Sequence, residues 1–298
     1  MNKSLEVLKA IYKPYRYTIM GKATKLETTS GDFIVKEESK DIKKLFNYLK
    51  TRGFYNYPKL IDGTRKEVNV YSYIENVTVP NEQKLLDMID VVSNLHNTTS
   101  YYKEVSEDKY KAIYEDIKDN IEYLKNYYNT KYDIYFNEIY MSPSHYLFMR
   151  NYYKVIQALR FCEEELDKWY EIVKNNKSIR VCIVHNNLKL DHFIESDNNY
   201  LISWDNYIID TPVIDIVNLY KNEYKYYNFS EVLKKYMNSF PLLEYEQKLL
   251  FILLVLPPTI KEDSNEFNNT MIMQENYDYI FKTEYLIRPY YSYDEEKE

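Results

Sequence analysis

Six side chains able to hold a cation or handle a proton fall in one short stretch: His185, Asn187, Asp191, His192, Ser203 and Asp205. Carboxylate oxygens suit a hard divalent ion, and an imidazole at His192 suits a softer one such as Mn²⁺ or Zn²⁺. Serine, histidine and aspartate together also raise a hydrolase triad. A nucleophile elbow needs small residues around a sharply turned serine, however, and the chain has no glycine after Gly63. Zinc held by His185, Asp191 and His192 fits no standard ligand spacing and lacks further ligands. A third kind of chemistry would add a cation upstream, at Lys36, which ends the alternating run Phe33-Ile34-Val35-Lys36.

These residues need elements to position them. The chain reads as β-rich first and helical later. Tyr17 to Glu27 and Asp32 to Glu37 read as two strands around a turn at Thr29-Ser30-Gly31-Asp32. Asp41 to Thr51 reads as a helix capped by Asp41, with Ile42, Leu45, Phe46 and Leu49 on one face. Lys66 to Ile74 reads as a further strand, and Val77-Thr78-Val79-Pro80 as a break or hinge. Apolar stripes then repeat at helical spacing: Leu85, Met88, Ile89, Val92 and Leu95; Tyr110, Ile113, Ile117, Ile121 and Leu124; and Ile156, Leu159, Leu166, Trp169 and Ile172. Short strands at Arg180 to Val184 and Tyr200 to Trp204 interrupt them. Strand alternation would put Ser203 and Asp205 on one face, with Ile202 and Trp204 turned into the core. Helices follow around Val213 to Tyr220, Ser230 to Ser239 and Glu244 to Leu256, and an acidic tail from Asp294. The expected organisation is α+β, with a β-rich lobe at 1–76 and a helical lobe at 77–298 that carries the hairpin 180–205.

Composition removes several functions. A net charge of −7 over 298 residues gives no basic footprint for nucleic acid. Cys162 and Cys182 are too few for a disulfide framework or a metal cluster and read as buried thiols. The longest apolar run, Leu249 to Leu256, falls well short of the ~20 residues a membrane span requires. With no signal peptide in the first residues, a cytoplasmic protein without a membrane partner is expected. The 36 tyrosines read as half-buried packing residues rather than base-stacking platforms. All four glycines lie in the first quarter of the chain, so no glycine-rich phosphate loop can be written.

The ordered set of motifs resembles the aminoglycoside phosphotransferase and choline kinase family of the protein-kinase-like fold, with the bacterial spore-coat kinase-like proteins in the same broad group. Phe33-Ile34-Val35-Lys36 resembles the strand with the phosphate-binding lysine, and Tyr73-Ile74-Glu75-Asn76 the hinge that follows the last small-lobe strand. Leu95-His96 resembles the end of a family helix. His185 to Ile194 with Leu201 to Asp205 resembles the loop H-G-D-x-x-x-x-N and the strand I-D-W/F-E/D, and Asp210 to Ile216 resembles the segment G-D-P-x-x-D-L. The resemblance implies a two-lobed fold, a nucleotide cofactor (ATP or GTP) held by Lys36, Ile74 and Glu75, and a divalent metal.

The departures fall on the chemistry. In the family, a loop Asp orients the acceptor hydroxyl, while a loop Asn and a strand Asp bind Mg²⁺. Here Asn187 stands at the base position, His192 at the Asn position and Ser203 at the metal-binding Asp position. An amide does not usefully accept a proton, and loss of a general base costs ~10²–10⁴ in rate. The helix after Lys36 holds no Glu to pair with it. The resemblance therefore implies a degenerate phosphotransferase acting by binding a nucleotide or a protein partner, with His185 bracing the loop. The alternative is an active ATP- or GTP-dependent enzyme acting on a small-molecule hydroxyl, its metal doubtful and held by Asp205, Asp191, His192 and Ser203.

Overall fold

The computed structural model describes residues 3–37, 41–65 and 68–291. In chain order the elements are α1 (Lys3–Tyr12), β1 (Arg16–Met20), β2 (Ala23–Thr28), β3 (Gly31–Glu37), α2 (Ile42–Thr51), β4 (Leu60–Arg65), β5 (Val68–Ser72), α3 (Asn81–Thr99), β6 (Tyr101–Glu104), α4 (Glu107–Phe136), α5 (Pro143–Val173), β7 (Ser178–Val184), β8 (Phe193–Ile194), β9 (Tyr200–Leu201), β10 (Ile208–Asp210), α6 (Val213–Glu223), α7 (Phe229–Ser239), α8 (Glu244–Val255) and α9 (Glu266–Ile287). The architecture is α+β: an antiparallel sheet early in the chain and helices through most of the rest. The expectations placed on Lys66 and on the tail from Asp294 lie outside the described residues.

The chain forms two compact units. The first comprises Met1–Ser100, Cys182–Asp210 and Lys234–Phe240; the second comprises Tyr101–Val181, Thr211–Leu233 and Pro241–Glu298.

The first unit is built on a five-stranded sheet of order β1-β2-β3-β5-β4. The expected single strand from Tyr17 to Glu27 is instead a hairpin. Met20 pairs with Ala23 across Gly21-Lys22, and Gly21 takes a φ of +58° that an L side chain resists. The next hairpin turns through Thr29-Ser30, where the Thr28 hydroxyl donates to the Gly31 carbonyl at 2.7 Å. Leu26, Val35, Val68 and Val70 project from the sheet to bury Leu8 of α1.

Asp41 caps α2 by accepting from the Lys44 amide at 3.2 Å, and all four residues of the apolar face are buried. The stripe Leu85, Met88, Ile89, Val92 and Leu95 on α3 is buried throughout. The strand expected at Tyr200 to Trp204 ends at Leu201, where β9 stops pairing with β8. Ser203 then adopts φ +65° and Trp204–Asn206 form a 3-10 turn. Period-two alternation is lost there. Leu201 and Trp204, three positions apart, enter the core, while Ile202 stays half-buried.

In the second unit, α5 packs against α4, α8 and α9. Tyrosine serves the role that composition suggests, since each buried ring keeps a partner for its hydroxyl. Tyr128 donates to the Pro258 carbonyl at 2.6 Å, Tyr277 to Phe148 at 3.1 Å, and Tyr220 bonds Thr283 at 2.8 Å. Burial pushes the Tyr220 phenol up to about 12. The sequence reading omits α9, because its buried face mixes Asn276, Tyr277 and Thr283 with the apolar residues.

Candidate functional site

The residues singled out from the sequence lie in the first unit, which allows their geometry to be built up directly. β7 leads into His185, which is fully buried. Its Nε2 donates to the Ile202 carbonyl at 2.9 Å and its ring meets the Trp204 indole at 4.7 Å. The two ends of the hairpin are thereby tied together. Asn186 follows with φ +55°, the left-handed conformation that Gly and Asn tolerate best. It stands where the family pattern has Gly, and its amide donates to the Asn206 carbonyl at 3.3 Å.

Asn187 is half-buried and directs its side-chain amide at the Ser203 carbonyl, at 3.5 Å. Its own carbonyl accepts from His192 Nδ1 at 2.7 Å. His192 therefore commits one ring nitrogen to bracing the loop. Asp191 is exposed on the 3-10 turn Leu190–His192. Ser203 and Asp205 do not share a strand face, because the left-handed Ser203 sits between the strand and the turn that carries Asp205.

Lys36 and Asp205, 169 positions apart, form a direct ion pair, Nζ to Oδ2 at 2.5 Å, with 12% and 36% of the side chains exposed. β3 sets Lys36 by pairing it with Ala23 on one side and Asn69 on the other. Among the described residues, no group of three or more His, Cys, Asp or Glu side chains is placed to hold a metal ion. Asp205, Asp191, His192 and Ser203 thus lie along one hairpin without forming such a group. Ile74 is half-buried and Glu75 exposed in the irregular segment 73–80. Ile74 faces a cavity whose lining contains neither Lys36 nor Asp205.

A second set of contacts fastens segment 73–80 to the hairpin. The Val77 amide donates to the Glu195 carbonyl at 2.8 Å, and the Glu195 amide donates to Asn76 Oδ1 at 3.0 Å. Asn56 adds to it by donating to the Asn198 and Asn199 carbonyls at 2.6 and 3.0 Å. Sequence reasoning misses Asn56 and Glu195, and has Asn76 only as the last residue of the hinge motif. The Asn76–Glu195 partners are 119 positions apart, and asparagines in loops carry no local signal for so distant a contact. His96, at the end of α3, is fully buried and hydrogen-bonded through Nδ1 to the Tyr236 hydroxyl at 2.7 Å. It is a packing residue.

No family model matches the chain, and no curated protein matches it by sequence. Solved structures match it in shape. An aminoglycoside phosphotransferase from Alicyclobacillus acidocaldarius superposes with a TM-score of 0.68 at 8% identity, covering 93% of this chain and 91% of that one. Spectinomycin phosphotransferase, in its AMP-bound complex, gives 0.54 at 11% identity over 94% and 93%. Choline kinase LicA from Streptococcus pneumoniae gives 0.50 at 16% identity over 93% and 98%. The chain has the protein-kinase-like fold of the aminoglycoside phosphotransferases and choline kinase. At these identities the likeness speaks for fold, and function has to be argued from the site.

Proposed function

We propose that this protein is a degenerate phosphotransferase that binds a nucleotide, ATP or GTP, without transferring its phosphate. The reading is carried by the ion pair between Lys36 and Asp205 at 2.5 Å. Phosphoryl transfer in this fold depends on a lysine for the phosphates and on carboxylate-held metal ions. Here the carboxylate on this hairpin turn neutralises the lysine, and the base position is an amide turned toward a backbone carbonyl. The metal positions His192 and Ser203 bring no negative charge. A nucleotide phosphate exchanging with Asp205 for Lys36 would restore the lysine's family role, with Ile74 and Glu75 beside the base.

The acidic balance of the chain favours a cationic small molecule or a basic protein surface as the further partner. The spectinomycin phosphotransferase that shares the fold is described with AMP and with ADP, which supports the nucleotide half of the reading. Calorimetric titration with ATP and GTP, with and without Mg²⁺ or Mn²⁺, tests it. Binding should persist without metal and weaken about tenfold or more in Lys36→Ala. Absence of nucleotide binding in every condition would overturn it, and a strict metal requirement would favour the active alternative.

A further inference from the structure

The cavity that Ile74 faces in the first unit carries charge separate from the Lys36–Asp205 pair. It encloses about 480 Å³ beside α2 and the start of β4, within the roughly 300–1,000 Å³ typical of small-molecule pockets. Lys43, Lys50 and Lys59 line it. Lys43 and Lys50 are seven positions apart on α2 and so share a helix face. Lys44, not Lys43, is the lysine that pairs with Asp41 at the helix cap. No carboxylate lines the cavity among the described residues; Asp41, outside it, feels the charge of Lys43 only after that of Lys44. Three lysines thus line one concavity in a chain of net charge −7, and a concave wall concentrates the field of charges along it.

Phe46, Tyr55, Tyr57 and Tyr200 give the rest of the wall an aromatic part, beside Asn47, Leu60, Ser72 and Ile74. Phe46 and Tyr57 stack at 4.2 Å between ring centroids with 24° between their planes. The Tyr57 hydroxyl is anchored on the Phe46 carbonyl at 3.1 Å. Tyr55, 62% exposed, stands on the rim. A flat ring can lie against such a surface, while lysines supply mobile point charges suited to a phosphate. We infer that this cavity is a separate binding site for a small phosphorylated molecule with a planar ring. The cavity shares Ile74 with the proposed nucleotide site but neither Lys36 nor Asp205, so labelling of its lysines can be told apart from occupancy at Lys36.

Pyridoxal 5′-phosphate is a suitable probe, because it joins a planar ring to a phosphate and its aldehyde condenses with a nearby lysine amine, losing water. Borohydride reduction followed by peptide mapping reads out where it bound. Labelling should concentrate on Lys43, Lys50 and Lys59, exceed that of the exposed Lys234 by about tenfold, and be suppressed by inorganic tripolyphosphate. Tyr55→Ala, at an exposed rim position, should reduce labelling several-fold while leaving the circular dichroism spectrum unchanged. Labelling spread evenly over surface lysines, or confined to Lys36, would overturn the inference, as would equal labelling in Tyr55→Ala.

Discussion

Two buried glutamates, one in each compact unit, are held in opposite electrostatic states. Glu165, in the second unit, is 2% exposed and accepts from Lys168 at 2.8 Å, Lys248 at 2.9 Å and the Tyr291 hydroxyl at 3.1 Å. Burial works to raise its pKa, but the two lysines override burial and hold the carboxyl below its ordinary value. Glu195, in the first unit, is 6% exposed. Burial raises its pKa, and the neighbouring Asp87 carboxylate raises it further against a smaller opposing pull from Lys84. In the second unit, buried charge is balanced and serves the scaffold. In the first, imbalance persists at the strap that ties segment 73–80 to the hairpin carrying Asp205. Perturbed groups of that kind gather at functional sites and are retained there at some expense of stability.

The largest effect should come from breaking balance where it is complete. Glu246 is fully buried and accepts Arg180 Nε at 2.8 Å, Arg180 Nη2, and the Leu243 amide at 2.9 Å. Glu246→Ala should cost about 3–5 kcal/mol, because it strands a mostly buried guanidinium, and urea denaturation will show this as a lowered midpoint. In the first unit, Trp204→Ala should cost a similar ~3–5 kcal/mol by emptying a core position. That substitution also removes the ring against His185, so the hairpin should lose hydrogen-exchange protection before the sheet does.

The two glutamates should then answer pH in opposite directions. Glu165 has a depressed folded pKa, so the unfolded chain binds more protons as pH falls. Its contribution is present above its ordinary value of 4.5 and is lost as pH falls through the folded value. Glu165→Gln should flatten the acid limb of a stability–pH profile. Glu195 has a raised folded pKa. Its contribution is present below the ordinary value of 4.5 and disappears as pH rises through the folded one. Glu195→Gln should therefore raise the thermal midpoint at pH 8 and have little effect at pH 4. A destabilising Glu195→Gln at pH 8 would mean that the carboxylate is balanced after all. The smallest effect expected is that of Asp41→Ala, a slight lowering of the urea midpoint from loss of the α2 cap.

Residues whose signals are local were readable from the sequence. The α3 stripe from Leu85 to Leu95, the Asp41 cap and the Thr29-Ser30 turn each depend on neighbours within a few positions. The Gly21 turn is equally local, yet the reading of Tyr17 to Glu27 as one strand runs through it. The strand expected at Tyr200–Trp204 gives way to a left-handed residue at Ser203. A serine gives no warning of φ +65°, and that one angle removes the shared face supposed for Ser203 and Asp205. The Lys36–Asp205 pair and the Asn76–Glu195 strap depend on tertiary placement over more than a hundred positions, which no local pattern encodes. The family resemblance implies the fold, but not the Lys36–Asp205 pair.

The proposed function holds that the hairpin keeps the kinase-like layout without the charge that phosphoryl transfer requires. The most direct test follows inorganic phosphate released from ATP by the wild-type protein in the presence of Mg²⁺ and, separately, Mn²⁺. No release above the protein-free rate is predicted with either ion. Metal-dependent release that disappears in Asp205→Ala would contradict it.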